Sequence, residues 1–331
     1  MDYLCNMNWR PVILSVLVGL LTGAGALCAQ ELTQLSLNTI TDAVGSGQYS
    51  GITYLGGSHY AVVHDKLGGG GILFFTIQFR EDGTVAYVGK TVPEGTIGPG
   101  GLDNEGVAYV PATRTLFVSA EADQSIREYD LKGRPTGRSL AVPAHLGIDC
   151  ITPNMGFEAL TYNPETHLFW TVTEGPLKGD DSLTLRLQSF GDDLLPALCC
   201  GYRMDAPRVP QDASAQAAAY VHGVPALAAL DDGRLIVLER EVYVPAGSLG
   251  DKLNGSFSAA KLYLVTPGQE PVLPKQLLYS FETTPLSSFA NSEGMCLGPV
   301  LPDGRRMLLL IPDSQDGAGG IMQEYIRVLA F

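Results

Sequence analysis

The sequence predicts an all-β chain in which four-stranded sheets are arranged around a ring, a β-propeller. Three observations carry that expectation. A hairpin with an acid at each end recurs along the chain, its copies return at a roughly regular interval, and glycine and proline, 39 and 21 of 331 residues, supply turns throughout. The hairpin is clearest in two copies. Asp103-Asn104-Glu105-Gly106-Val107-Ala108-Tyr109-Val110 leads through a turn to Leu116-Phe117-Val118-Ser119-Ala120-Glu121. Gly156-Phe157-Glu158-Ala159-Leu160-Thr161-Tyr162 leads to Leu168-Phe169-Trp170-Thr171-Val172-Thr173-Glu174. Each run is short, β-branched and aromatic, and bounded by turn residues, as antiparallel strands are. The head of the first strand and the end of the second lie on the same side of a hairpin, so both acids emerge at one end of the sheet.

In chain order, residues 31–40 alternate polar and apolar and read as a strand. The first unit has strands at 50–55, 60–65, 72–77 and 85–88; the second adds 125–130 and a short strand near Leu140 to its hairpin. The third adds 183–187 and a strand near Tyr202. Residues 205–222 are rich in Ala, Gln and Pro and read as a surface linker with room for a short helix at 213–220. The fourth unit takes 223–227, 235–240, 261–265 and 277–281, and the fifth 291–297, 307–313 and 325–329. Hairpin starts near 51, 105, 158, 224 and 293 are spaced by 54, 53, 66 and 69 residues, so five blades can be counted and the two long intervals leave room for a sixth. The strand from Glu31 is expected to complete the last blade, closing the ring without a free edge. A monomer is therefore expected.

A net charge of -14 repels nucleic acid and anionic membrane and favours cations or neutral ligands. At the N-terminus, Arg10 precedes an apolar run from Pro11 to Leu21, then small residues and Leu27-Cys28-Ala29-Gln30. That pattern reads as a signal peptide over 1–29, with the propeller domain over 30–331. Cleavage after Ala29 is favoured over lipidation at Cys28 or a membrane anchor, and no membrane span is expected in the mature chain. The expected location is periplasmic or secreted. In that oxidising setting Cys150 can bridge Cys199 or Cys200, or the four mature cysteines can stay buried thiols. No zinc-type Cys/His spacing occurs, and the five histidines are scattered. Ala246-Gly247-Ser248-Leu249-Gly250 approaches a nucleophile elbow but lacks the strand-to-helix context and reads as a loop.

The first strand of a propeller blade lines the central channel. Glu105, Glu158 and Glu293 then stand at its head, and Asp65, Glu121, Glu174, Glu239 and Asp313 at the end of the neighbouring strand on the same face. Two bare carboxylates about 5 Å apart repel by roughly 3 kcal/mol at an effective dielectric near 20. Such a ring calls for a cation or protonation, unless each acid only accepts backbone N–H bonds from the next blade. All-oxygen ligands select a hard ion, Ca²⁺ before Mg²⁺. Asp65, Glu105, Glu121, Glu158, Glu239, Glu293 and Asp313 are the expected metal ligands. The bases near this mouth are Lys66, Lys178 and Arg240. Arg240 is either an anion clamp or the partner of a neighbouring acid. His64, beside Asp65, reads as strand-end packing ahead of an acid or base.

At Asp103-Asn104-Glu105-Gly106, Gly156-Phe157-Glu158-Ala159, Leu238-Glu239-Arg240 and Asn291-Ser292-Glu293-Gly294 the chain resembles the secreted proteins described as having esterase-like activity of the phytase family. The resemblance covers about residues 48–315. It implies a propeller, export and a calcium-dependent hydrolase of phosphoric or other esters, with a small-molecule substrate. Ser50 and Val224 stand where the other units carry an acid. In this reading Glu158 and Glu174 are catalytic with Arg240, and Lys66, Lys178 and Arg240 bind substrate. Two other readings remain: a non-catalytic propeller that binds a glycan or protein, and a lactonase-type propeller around one divalent ion.

Overall fold

Each apolar run bounded by turns becomes a strand, and every strand but the first pairs with a sequence neighbour. The computed structural model describes residues 31–66, 71–91 and 102–331; the expected signal peptide lies outside them. The chain opens with β1 (Thr33–Thr39) and one helical turn, α1 (Thr41–Val44). The first blade is β2 (Tyr49–Gly56), β3 (His59–His64), β4 (Gly71–Phe79) and β5 (Val85–Thr91), and the second β6 (Asn104–Val110), β7 (Thr115–Ala120), β8 (Ser125–Asp130) and β9 (Pro135–Ser139). The third is β10 (Phe157–Asn163), β11 (Leu168–Thr173), β12 (Thr184–Gly191) and β13 (Pro196–Arg203). After α2 (Gln211–Ser214) come β14 (Ala219–Ala229), β15 (Leu235–Val244), β16 (Phe257–Val265) and β17 (Lys275–Thr283). The fifth blade is β18 (Asn291–Val300), β19 (Arg306–Asp313) and β20 (Tyr325–Ala330), with β1 as its outer strand.

Every sheet is antiparallel, and the innermost strands β2, β6, β10, β14 and β18 pack in succession, β18 returning to β2. The ring has five blades. The two long intervals hold no sixth blade among the described residues; their extra length goes into the crossover around α2, the longer strands of the fourth blade and the loop before Asn291. The helix expected at 213–220 forms as Gln211–Ser214 instead, and Ala219 and Tyr220 already belong to β14. Pairing of Thr33 with Ala330 and Thr39 with Tyr325 closes the ring, in keeping with the alternation of residues 31–40.

The core is divided among the blade interfaces. Tyr49, Ile52 and Tyr60 pack on Met307, Leu309 and Ile326 between the first and fifth blades, and Phe117 and Ile126 pack on Phe157 and Phe169 between the second and third. Middle strands are covered on both faces, which is why β3 and β15 read as apolar runs; the outer strand β9 is exposed throughout. The described cysteines Cys150, Cys199, Cys200 and Cys296 are free thiols, so the bridge from Cys150 is not formed; Cys200 Sγ instead donates to Gly268 O at 3.1 Å.

One irregularity repeats in every blade. Pairing between the first two strands slips between Tyr49 and Ile52, Asn104 and Val107, Phe157 and Ala159, Gly223 and Ala226, and Ser292 and Gly294. A bulge inserts one residue and re-aims its side chain. The inserted residue is Glu158 in the third blade and Glu293 in the fifth; the same register gives Ser50, Glu105 and Pro225. Pro225, not Val224, is therefore where the fourth blade lacks the acid. Just past the bulge the strands approach so closely that a Cβ on Gly51 would lie 2.4 Å from Glu105 O, and one on Gly106 would lie 2.6 Å from Glu158 O. Gly106→Ala is expected to destabilise the fold by about 1–3 kcal/mol in chemical denaturation, as overpacking does. Gly250→Ala, whose Cβ meets nothing within 4 Å, should stay within about 0.5 kcal/mol of the parent.

Candidate functional site

The bulges and the strand ends beside them build two concentric rings at one mouth of the propeller. The inner ring is Ser50, Glu105, Glu158, Pro225 and Glu293. The outer ring follows from register: Asp65 bonds to Gln48 O, Glu121 to Asp103 O and Glu174 to Gly156 O, while Arg240 pairs with Gly223 and Asp313 with Asn291. Arg240 thus occupies the position that is acidic in the other four blades. The cavity under this mouth has a volume of about 590 Å³. It is lined by eight acids, Asp65, Asp103, Glu105, Glu121, Glu158, Glu174, Glu293 and Asp313, and by the bases Lys66 and Arg240.

Two expected residues are elsewhere. Glu239 lies one residue before the ring position, and in a strand that difference reverses the face. Its carboxylate enters the interface of the third and fourth blades, accepting from Tyr202 OH and Lys275 Nζ, both at 2.6 Å, and from Asp205 N–H at 3.0 Å. Lys178 does not line the cavity; its Nζ donates to Asp149 O at 3.2 Å. Asp103, absent from the expected ligands, takes the place of Glu239 in the count. Its signal was its position across the hairpin from Glu121. His64 is buried with its ring edge-on to Tyr49, centroids 5.4 Å apart, in the packing role. Ser248 Oγ donates to Pro245 O at 2.8 Å in a short loop, so the near-elbow sequence is no elbow.

Charge is concentrated and poorly neutralised. Arg240 Nη2 lies 2.7 Å from Glu174 Oε1 and 3.1 Å from Glu293 Oε1, whereas its Nε and Nη1 are buried without a hydrogen-bond partner. Lys66 Nζ bridges Asp65 and Asp103 at 2.9 and 2.7 Å. Glu121 Oε1 accepts from Gly156 N–H at 2.6 Å, and Glu293 Oε1 from Asn291 Nδ2 at 2.5 Å. Burial, followed by the charges of neighbouring acids, holds the Glu105, Glu158 and Glu293 carboxyls well above their ordinary range. Burial also raises Glu174 and Asp65, against the opposing pull of Arg240 and Lys66. Asp313 is pushed up to about 7 and Glu324, behind it, to about 8, in both cases chiefly by burial.

These shifts fix the direction of a pH effect. A carboxyl whose folded pKa is raised keeps its proton in the folded state after the unfolded chain has lost it. Its contribution to stability is then lost as pH rises from the ordinary value toward the folded one. For Asp313 and Glu324 that window runs from 3.8 and 4.5 up to about 7 and about 8. Without divalent cations the melting temperature is expected to fall between pH 5 and pH 8, and Glu324→Gln should flatten part of that slope. A melting temperature that rises across the window would show that the acids are ionised and satisfied.

One comparison with known proteins identifies the family, and the others are weak. The family model described as "Phytase-like: Esterase-like activity of phytase" matches residues 44–315. No curated protein matches the chain. Among solved structures, a luciferin-regenerating enzyme is similar with a TM-score of 0.44 and 12% identity, covering 90% of this chain and 96% of that one. The major allergen Mala s 1 of Malassezia sympodialis gives 0.38 and 9%, covering 91% and 78%. The hydrazine synthase of Kuenenia stuttgartiensis gives 0.38 and 10%, and the match covers 82% of this chain and 57% of that one. With the family match extending over nearly the whole propeller, the chain belongs to the phytase-like family, that of the esterase-like activity of phytase.

Proposed function

We propose that the protein is a calcium-dependent hydrolase of phosphoric or other esters, acting in the acid-lined cavity. The observation that carries this reading is the convergence of eight carboxylates with two bases in one cavity. The donor set fits a hard cation. Asp65, Asp103 and Glu105 each offer a carboxylate oxygen within 4.8 Å of the others, and so do Glu105, Glu121 and Glu158. Oxygen ligands stand about 2.3–2.6 Å from Ca²⁺, so oxygens that close can share one ion, and no His or Cys sits among them to favour a softer metal. Calcium bound there would supply the positive charge that lets an anionic or polarised ester oxygen enter a cavity that otherwise repels it.

The chain's own residues divide the remaining work. Asp65, Asp103, Glu105, Glu121 and Glu158 hold the ion. Arg240, held through Nη2 by Glu174 and Glu293, lines the cavity and is the positive charge beside which an oxyanion would sit. Glu174, deeply buried beside Glu158, is the group placed to take or return a proton, because its raised pKa brings it nearer neutrality. Lys66, half-exposed at the rim, is held between Asp65 and Asp103 and offsets part of their charge. Among the described residues no helix is long and apolar enough to cross a membrane. Export by the segment at 1–29 would bring the site to a compartment where weak calcium sites, with dissociation constants of about 10⁻⁴–10⁻³ M, can fill.

Two measurements test the proposal. Millimolar Ca²⁺ should raise the melting temperature, by about 2.7 kcal/mol of added stability at a hundredfold excess over Kd. Glu158→Gln should shrink that response, while Glu165→Gln, on an exposed turn, should leave it intact. Turnover of phosphoesters, carboxylic esters and lactones with and without chelator should show chelator-sensitive hydrolysis. Glu174→Gln should lower it by roughly 10²–10⁴-fold, as loss of a proton-transfer group does. An unchanged melting temperature and no turnover in any class would remove the proposal.

A further inference from the structure

The cavity has a second wall of opposite character. β14 and β15 run eleven and ten residues, and four of their pairs, from His222–Glu241 to Ala219–Val244, continue past the ring position Gly223–Arg240. The hairpin of the fourth blade therefore stands above the mouth. Alternation along a strand sends every second side chain to the same face. On this extension that face carries Val221, Val242 and Val244, all of which line the cavity. Leu253, Phe289 and Met322, from the loops after β15, β17 and β19, join them in one apolar cluster. Leu249 stands at its rim, exposed. Val242, Val244 and Met322 are 7% exposed and Leu253 and Phe289 1%, and with the partly buried Val221 they line the same space as Arg240 and the acids.

Resting on the reading of the cavity as an ester hydrolase site, we infer that its substrate is a monoester of an apolar alcohol, with an aryl or branched alkyl group seated on the Val221–Val242–Val244 wall and a single oxyanionic or carbonyl head beside Arg240. Two features of the cavity favour this class over a polyanion. Of the two bases among the described residues that line it, Arg240 is buried against Glu174 and Glu293 and offers a place for one head at most, and Lys66 is already shared between Asp65 and Asp103. Each further phosphate would meet acids or aliphatic carbon. Apolar area brought onto the wall, by contrast, is removed from water with a gain that scales with the area. Phosphoryl and carboxyl heads share this chemistry, and the two turnover arms below distinguish them.

The test separates the wall from the chemistry. Binding of uncharged 2-naphthol is measured by calorimetry, along with that of phenylphosphonate and methylphosphonate in saturating Ca²⁺. Naphthol should bind, and phenylphosphonate should bind roughly tenfold or more tightly than methylphosphonate. Val242→Asn should abolish both effects. Val221→Asn, at a half-exposed position, carries the same expectation should the buried substitution prevent folding. Absence of naphthol binding, equal binding of the two phosphonates, or an aryl preference that survives both substitutions would overturn the inference. Turnover of 2-naphthyl phosphate and 2-naphthyl acetate, each beside its methyl counterpart, is read separately. If naphthol binds at the wall and neither ester is cleaved, the hydrolase reading falls and the apolar site stands. If methyl and naphthyl esters are cleaved equally well, the hydrolase stands and the inference falls.

Discussion

The close approach of the five innermost strands is the constraint on which the rest of this protein depends. Strand heads that meet around so small a ring leave no room for a Cβ at Gly51 or Gly106, and the chain meets the crowding with a bulge in every blade. The bulge does two things at once. It lets the strand bend into the ring, and it turns an extra side chain toward the mouth. The acids gather there because a backbone device needed for closure is repeated at each blade, and an acid is placed on it in three of five cases. Geometry and charge are therefore the same feature seen at two levels.

Gathering them works against folding. Eight carboxylates in one cavity, several of them buried, would repel strongly if all were ionised, and burial raises the Glu105 and Glu158 carboxyls well above their ordinary range. The interfaces between blades offset that repulsion, each with its own apolar cluster. Arg240 shows the compromise. It substitutes one positive charge for a fifth acid in the outer ring, and two neighbouring glutamates hold its Nη2 while the rest of the guanidinium has no partner.

Much of the fold was legible in the sequence. Turn-bounded apolar runs gave the strands, their recurrence gave the ring, and the alternation of residues 31–40 gave its closure. The acids of the first, second, third and fifth hairpins were also legible, since an acid at the same offset in each copy must reach the same mouth. The fourth hairpin was not. Glu239 and Arg240 are adjacent, an acid was expected by analogy, and only the register decides which of the two faces the cavity. Pro225 and Val224 were exchanged for the same reason. Asp103 was missed because it lies just before β6, across the hairpin from Glu121 rather than at the recurring position. The apolar wall could not be read at all: its residues come from two strands and three separate loops, and β14 begins inside an Ala-rich stretch that looks like a linker.

The pairing of β1 with β20 has a consequence for how the chain reaches its native state. Thr33 meets Ala330, so the contact that completes the fifth blade encloses almost the entire described chain. Joining ends so far apart costs about 5 kcal/mol in chain entropy on a logarithmic scaling with loop length. Four blades are assembled from neighbours in sequence and can form as the chain is made, whereas the fifth must wait for the last strand to emerge. Until then both sides of the gap expose the apolar faces that later become the first–fifth and fourth–fifth interfaces. The interval before closure is thus the time at which this protein is most open to aggregation.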